Sequence, residues 1–278
     1  MNSGLKSDLL DLLHTAYNKS EQVLSTDGMK FLSLFGLSYL SYKTLKGLAR
    51  FYTKFLSGGK DLIDRYGANT YALITGGAEG IGRGFARELG KLGFNLILMD
   101  KNEELLNQTC LELTHNYPQL SVKKIVVDFE RSYEEGFFDK LMAEIGSLEV
   151  SILVNNVGVV QRGKFADVDE KGMRNMIHVN TFPATFLTKR MIPKMLKREK
   201  RSGIITVSSF QGYVTFTEHA VYACTKAYLN HLSSCLQEEY SEKIDFLSVT
   251  PGAVITSMTK FMEKCYYSCT PEECAASS

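Results

Sequence analysis

From residue 71 onward the chain alternates short apolar runs with longer stretches of helical periodicity. Strands are predicted at Tyr71–Ile74, Asn95–Met99, Val122–Val127, Ser151–Val154, Gly203–Val207 and Asp245–Val249. The stretches between them are long enough to carry crossover helices, which parallel strands require. That alternation predicts an α/β fold built on a doubly wound parallel sheet, in one domain over residues 60–278. Residues 1–59 have a different pattern and form a helical N-terminal extension, joined through a hinge at Ser57-Gly58-Gly59. Within it, Phe31–Tyr42 is a run of twelve uncharged residues. As a helix that run is roughly 18 Å long against the ~30 Å of a bilayer core, too short to span it. Lys43, Lys46, Arg50 and Lys54 then recur at helical spacing, with Leu45, Leu48, Phe51, Tyr52 and Phe55 supplying apolar surface. A basic, amphipathic segment of this kind suits an anionic membrane surface; the alternative is a soluble helix packed on the domain.

Composition narrows the classes without choosing among them. A chain of 278 residues with 44% hydrophobic and 23% charged residues can bury one substantial core. A net charge of +1 provides no field to draw nucleic acid, so no nucleic-acid partner is expected. The six cysteines (Cys110, Cys224, Cys235, Cys265, Cys269 and Cys274) form no CxxC pair, and free thiols in a reducing compartment are expected. The last three lack the spacing and nearby histidines of a zinc site, so no metal is expected. Lys6, Asp8, Asp11 and His14 interrupt the N-terminal leucines, which argues against a cleaved signal peptide.

The first predicted strand runs into Thr75-Gly76-Gly77-Ala78-Glu79-Gly80-Ile81-Gly82, which opens a helix through Leu92. Glycines between a strand and a helix let backbone amides approach a pyrophosphate at the positively polarised helix N-terminus, which makes the sheet Rossmann-like. The second strand ends at Met99-Asp100. A carboxylate there accepts hydrogen bonds from ribose hydroxyls and repels a 2′-phosphate, favouring NAD(H), whereas the adjacent Lys101 is able to neutralise such a phosphate. Asp100 also reads as a helix N-cap paired with Glu103. Farther along, Tyr222 and Lys226 stand four residues apart on one helical face, where an ammonium would favour the phenolate and lower the tyrosine pKa toward neutrality. Ser209, after the strand ending at Val207, is positioned to hydrogen-bond a carbonyl oxygen.

Order and spacing together resemble the short-chain dehydrogenases from about Tyr71 to Ser257. Thr75–Gly82 resembles their TGxxxGxG, Asn155-Asn156-Val157-Gly158 their NNxG, and Ser209, Tyr222 and Lys226 their catalytic triad. The resemblance implies a nicotinamide cofactor held by Thr75, Gly76, Gly80, Ile81, Gly82, Asn155 and Gly158, with Tyr222 and Lys226 also touching it. It implies that Asp128 meets the adenine, that Pro251-Gly252 with Thr256 holds the carboxamide, and that Asn180 belongs to a proton relay.

Glu149–Gly158 and Cys235–Tyr240 look most like the branch containing very-long-chain 3-oxoacyl-CoA reductases and 17-beta-hydroxysteroid dehydrogenases. That branch implies NADP(H), a lipid or steroid substrate and the endoplasmic reticulum membrane, with the cytosolic face or otherwise the cytoplasm as the location here. It usually has Ser-Arg where this chain has Asp100-Lys101. Reduction of a ketone on a 3-oxoacyl-CoA or ketosteroid is the leading expectation. A soluble alcohol dehydrogenase of other specificity and a catalytically silent nucleotide-binding member are the alternatives. The family often forms homodimers through helices that lie here around Ala184–Arg198 and Val221–Tyr240. Thr270-Pro271-Glu272-Glu273 reads as a helix start where relatives continue into a further strand, so the expectation is a truncated form or fragment lacking the C-terminal strand.

Overall fold

The computed structural model describes residues 11–15, 26–51, 61–259 and 268–278. The hinge, Lys6, Asp8, Tyr52, Lys54, Phe55 and Cys265 lie outside the described residues. The chain divides into two compact units, residues 1–60 and 61–278. In the first, helix α1 (Thr26–Phe51) is long, and Phe31, Leu34, Phe35 and Leu45 are each about two-thirds exposed or more. At about 100° per residue, Phe31, Leu32, Leu34 and Leu37 point to four different sides, so this stretch is apolar all round. Along Lys43–Leu48 the two lysines and two leucines take opposite sides, as expected for an amphipathic segment. No helix among the described residues is long and apolar enough to cross a membrane.

The second unit is built on six parallel strands in the order β3-β2-β1-β4-β5-β6. They are β1 (Tyr71–Thr75), β2 (Asn95–Asp100), β3 (Val122–Val126), β4 (Val150–Asn155), β5 (Ser202–Val207) and β6 (Ile244–Val249). Each boundary falls within one residue of the sequence expectation, because each strand is a short apolar run ended by polar or glycine-rich sequence. The central strands are apolar at consecutive positions since helices cover both faces of the sheet. Alternation then decides which side each residue feeds: Leu73, Ile97 and Met99 enter one core, and Ala72, Ile74, Leu96 and Leu98 the other.

The first core is closed by α5 (Phe137–Ile145), α6 (Glu170–Leu196) and part of α7 (Ala220–Tyr240), through Leu141, Leu187 and Met191 among others. The second is closed by α3 (Gly80–Lys91) and α4 (Glu103–Asn116), with α2 (Leu62–Tyr66) at the opposite end of the sheet. Strand order reverses between β1 and β4, so their carboxyl ends diverge and leave a crevice for a ligand.

The last described residues complete the second core. A short parallel pair, β7 (Ala253–Val254) and β8 (Ser268–Cys269), leads into α8 (Pro271–Ala276). Thr270 caps α8 with the expected box: its hydroxyl accepts the Glu273 amide at 3.1 Å, and the Glu273 carboxylate accepts the Thr270 amide at 2.8 Å. Buried Cys274 and Ala275, together with the Arg87–Glu272 ion pair, hold α8 against α3. The approach is close enough that a Cβ on Gly84 would stand 2.5 Å from the Pro271 carbonyl oxygen.

Gly84→Ala therefore has opposed effects: up to about 1 kcal/mol gained in helix propensity and about 1–3 kcal/mol lost to overpacking against backbone. A net loss is expected, read as a lower urea midpoint with the slope unchanged; a midpoint at or above that of the parent chain would show that α8 does not pack on α3 as described.

Candidate active site

The crevice is a cleft of about 520 Å³ running from Asp100 and Asp128 at one end to Ser209 and Tyr222 at the other. Its floor is the junction of β1, β4 and α3. The Thr75 hydroxyl accepts the Asn156 and Val157 amides at 2.9 and 3.1 Å, and the Asn156 side-chain amide donates to the Thr75 and Gly76 carbonyls at 2.9 and 3.0 Å. Gly76 and Gly80 have φ of +64° and +56°, a region that disfavours side chains. A Cβ on Gly82 would stand 2.0 Å from the Gly76 carbonyl oxygen. The glycines are thus required by backbone meeting backbone. No side chain caps the first turn of α3, so its amide groups point at the cleft without an internal acceptor. This arrangement fits a dinucleotide pyrophosphate.

Not every residue selected from sequence faces the cleft. Thr75 and Gly82 build its floor without lining it, and Asn155 turns away to donate to Thr188 at 2.9 Å. Asn156, quoted in the motif but not chosen, is the asparagine that lines the cleft. Gly76, Gly80, Ile81, Gly158, Pro251, Gly252 and Thr256 all line it. Thr256 sits over the glycine loop, its methyl group 3.4 Å from where a Gly80 Cβ would be.

At the far end Asp100 is held as an acceptor: its carboxylate takes the Ala78 amide at 3.2 Å and the Asn102 amide at 3.0 Å. The N-cap of α4 is Asn102, whose side chain accepts the Leu105 amide at 3.1 Å, and not Asp100 as the capping-box pattern suggested. Asp128 caps a single turn at Phe129–Arg131 by accepting the Glu130 amide at 3.0 Å. Lys101 lines the cleft already paired. It donates to Glu130 at 2.6 Å, and that bond raises its pKa.

At the catalytic end Tyr222 and Lys226 share one face of α7, with the Lys226 nitrogen 5.6 Å from the Tyr222 ring centre. The electrostatics differ from the sequence expectation. Burial holds the Tyr222 pKa above its ordinary 10.0, only partly offset by a hydrogen bond from Ser209. Burial pushes Lys226 down from 10.5 to about 8, and its ammonium donates to the Val207 carbonyl at 2.9 Å. Desolvation thus moves both groups away from the sequence expectation, the phenol up and the ammonium down, and Tyr222 stays a phenol near neutrality.

Asn180 is 1% exposed, and its side chain is fully engaged: its oxygen accepts the Val159 amide at 2.7 Å, and its nitrogen donates to the Val159 carbonyl and the Thr225 hydroxyl, each at 3.0 Å. These bonds fix the β4–α6 loop against α7. Gly212, three residues after Ser209, went unselected although a Cβ there would meet the Lys226 carbonyl carbon at 2.9 Å. No spacing rule could have found a contact between a turn and a later helix.

The family model for short chain dehydrogenases matches residues 70–265. The chain is 30% identical to a very-long-chain 3-oxoacyl-CoA reductase of Bos taurus over 87% of this chain and 78% of that protein. It is 32% identical to inactive hydroxysteroid dehydrogenase-like protein 1 of Homo sapiens over 85% of this chain and 74% of that one. It spans 64% of the length of two Caenorhabditis elegans relatives, to which it is 33% and 32% identical over 71% of its own length. Among solved structures, a short-chain dehydrogenase from Sphingobium yanoikuyae in complex with NADPH superposes with a TM-score of 0.68 at 23% identity, covering 74% of this chain and 82% of that one.

Between about pH 8 and 10.5 the unfolded chain keeps a proton on Lys226 that the folded chain has released. Stability attributable to this group therefore climbs as pH rises through that window. Lys226→Met removes the buried ammonium and should raise the melting temperature relative to the parent chain more near pH 7 than near pH 10. An equal difference at both pH values, by differential scanning fluorimetry, would mean that Lys226 is not desolvated.

Proposed function

The chain belongs to the short-chain dehydrogenase family, and from that premise we propose that it reduces a ketone on a lipid-like substrate, a 3-oxoacyl thioester ahead of a ketosteroid. The observation that carries the reading is the convergence of Ser209, Tyr222 and Lys226 on a cleft whose other half fits a dinucleotide. A bound nicotinamide cofactor supplies the hydride. Tyr222, kept protonated by burial, gives its phenolic proton to the substrate oxygen as the carbonyl carbon is reduced, and Ser209 hydrogen-bonds the charge that develops there. The Lys226 ammonium stabilises the tyrosinate left behind. Asn180 acts as a positioning residue that holds Thr225 and the loop bearing Val159.

An apolar wall supports the lipid-like substrate: Val157, Val159, Val160, Val179 and Met258 line the cleft beside the catalytic side chains. Phe210, Tyr213 and Phe216, each at least 45% exposed, precede Tyr222 in the chain and follow the cleft-lining Ser209. On the coenzyme side, the fixed Asp100 carboxylate favours NAD(H) over the NADP(H) that the branch implies. The similarity to an inactive relative favours a silent nucleotide-binding member as the second reading, against which stands the presence of all three catalytic residues. Pairing of two copies through α6 and α7 is compatible with this site, since both helices keep exposed apolar residues, Ile177 and Tyr228 among them.

The extension extends the same reading to location. An α1 that is apolar all round between Lys30 and Lys43 needs a nonaqueous neighbour, and the cytosolic surface of the endoplasmic reticulum membrane is the one proposed.

With purified chain and a panel of 3-oxoacyl-CoAs and ketosteroids, loss of NADH or NADPH absorbance is expected. Tyr222→Phe should reduce turnover by at least about a hundredfold with cofactor affinity kept. Normal turnover by that variant would refute the mechanism, and no turnover by the parent chain on any substrate would favour the silent reading.

For the extension, the full chain should cosediment with liposomes containing anionic lipid, and deletion of residues 29–55 should release it. Equal, salt-insensitive solubility of both forms would count against membrane contact.

A further inference from the structure

The adenosine end of the cleft carries charges that the motifs do not explain. Asp100, Lys101, Asp128 and Glu130 all line it. One backbone contact brings the pairs together: the Val127 amide donates to the Asp100 carbonyl at 2.9 Å, and the following turn, capped by the Asp128 carboxylate, presents Glu130. Phe129, 3% exposed, anchors that turn in the core, so the position of Glu130 is set by buried structure. Its carboxylate accepts the Lys101 ammonium at 2.6 Å. Among the described residues lining the cleft the only cations are Lys101 and Lys226, and Lys226 lies at the catalytic end bonded to Val207. At the adenosine end, three carboxylates therefore face one ammonium that is already paired.

We infer that Glu130 is a specificity-determining residue that discriminates against NADP(H) by holding Lys101, the one cation able to meet a 2′-phosphate, in an ion pair. The inference rests on the reading that Asp100 selects NAD(H), and it adds a second layer. A phosphate bonded by Lys101 either draws it from Glu130 or shares it with that carboxylate, and in both cases the negative charge of Glu130 stands beside the incoming charge. NAD(H), with two ribose hydroxyls, requires neither change. The pair is 58% and 42% exposed, so it contributes little to folding. Its effect lies in which ligand charge the wall accepts, and Glu130→Gln can be made without endangering the fold.

Isothermal titration of the full chain tests this without turnover. The probes are NAD+ and NADP+, and AMP against adenosine 2′,5′-bisphosphate, a pair that differs only in the 2′-phosphate. Glu130→Gln should tighten NADP+ and the bisphosphate roughly tenfold while leaving NAD+ and AMP within about twofold, the size expected for removing one charge near a dianion in high dielectric. The gain should shrink as salt is raised and vanish in Lys101→Gln/Glu130→Gln. If Glu130→Gln leaves NADP+ affinity unchanged while Asp100→Ser improves it, the inference fails and the Asp100 reading stands. A gain that survives in the double variant would overturn the role of Lys101. If the parent chain binds NADP+ more tightly than NAD+, the Asp100 reading fails and the inference with it.

Discussion

Everything in the cleft depends on how closely three pieces of backbone approach one another at the end of β1. The Gly76 carbonyl lies where a Cβ on Gly82 would be, and Gly76 itself sits against the Asn156 side chain, which in turn bonds the Thr75 and Gly76 carbonyls. Those contacts bring the start of α3 onto the strand ends and turn its uncapped amides toward the opening between β1 and β4. A methyl group at either glycine would push the helix away and remove the pyrophosphate cradle. The same clamp sets the position of the loop after β4, through which Val159 reaches Asn180 and α7. The dinucleotide half and the catalytic half are therefore one mechanical object.

Burial is the second constraint on the chemistry. Lys226 lies within a turn of Tyr222, yet desolvation raises the phenol and lowers the ammonium. The outcome suits donation of a proton to a substrate oxygen better than its removal from an alcohol, which agrees with the reductive direction proposed. In the mechanism proposed, a side chain that must be charged to stabilise a tyrosinate, and is held where charge is disfavoured, trades stability for function.

The two ends of the cleft have opposite characters. The end at Asp100 and Asp128 is acidic and tightly specified by backbone hydrogen bonds to those carboxylates, whereas the end at Ser209 and Tyr222 is walled by valines. Cofactor selection there is an electrostatic matter. In the function proposed, substrate selection rests on apolar area, which tolerates variation in shape and length.

Much of this was legible in the chain itself. Strand positions followed from apolar runs, and the glycine turn and the shared helical face of Tyr222 and Lys226 were readable because they depend on local geometry, a turn or one helical repeat. The α8 capping box was readable for the same reason. Tertiary structure decided what depends on neighbours distant in sequence. Asn156 rather than Asn155 faces the cleft because the strand ends between them. Asn180 is consumed by Val159 and Thr225, Lys101 is paired with Glu130, and Asn102 displaces Asp100 as the cap of α4. The pKa order of Tyr222 and Lys226 followed from desolvation by residues on other elements. Spacing along a chain encodes which groups share a face, while burial and ion pairing are set only when separate elements close over them.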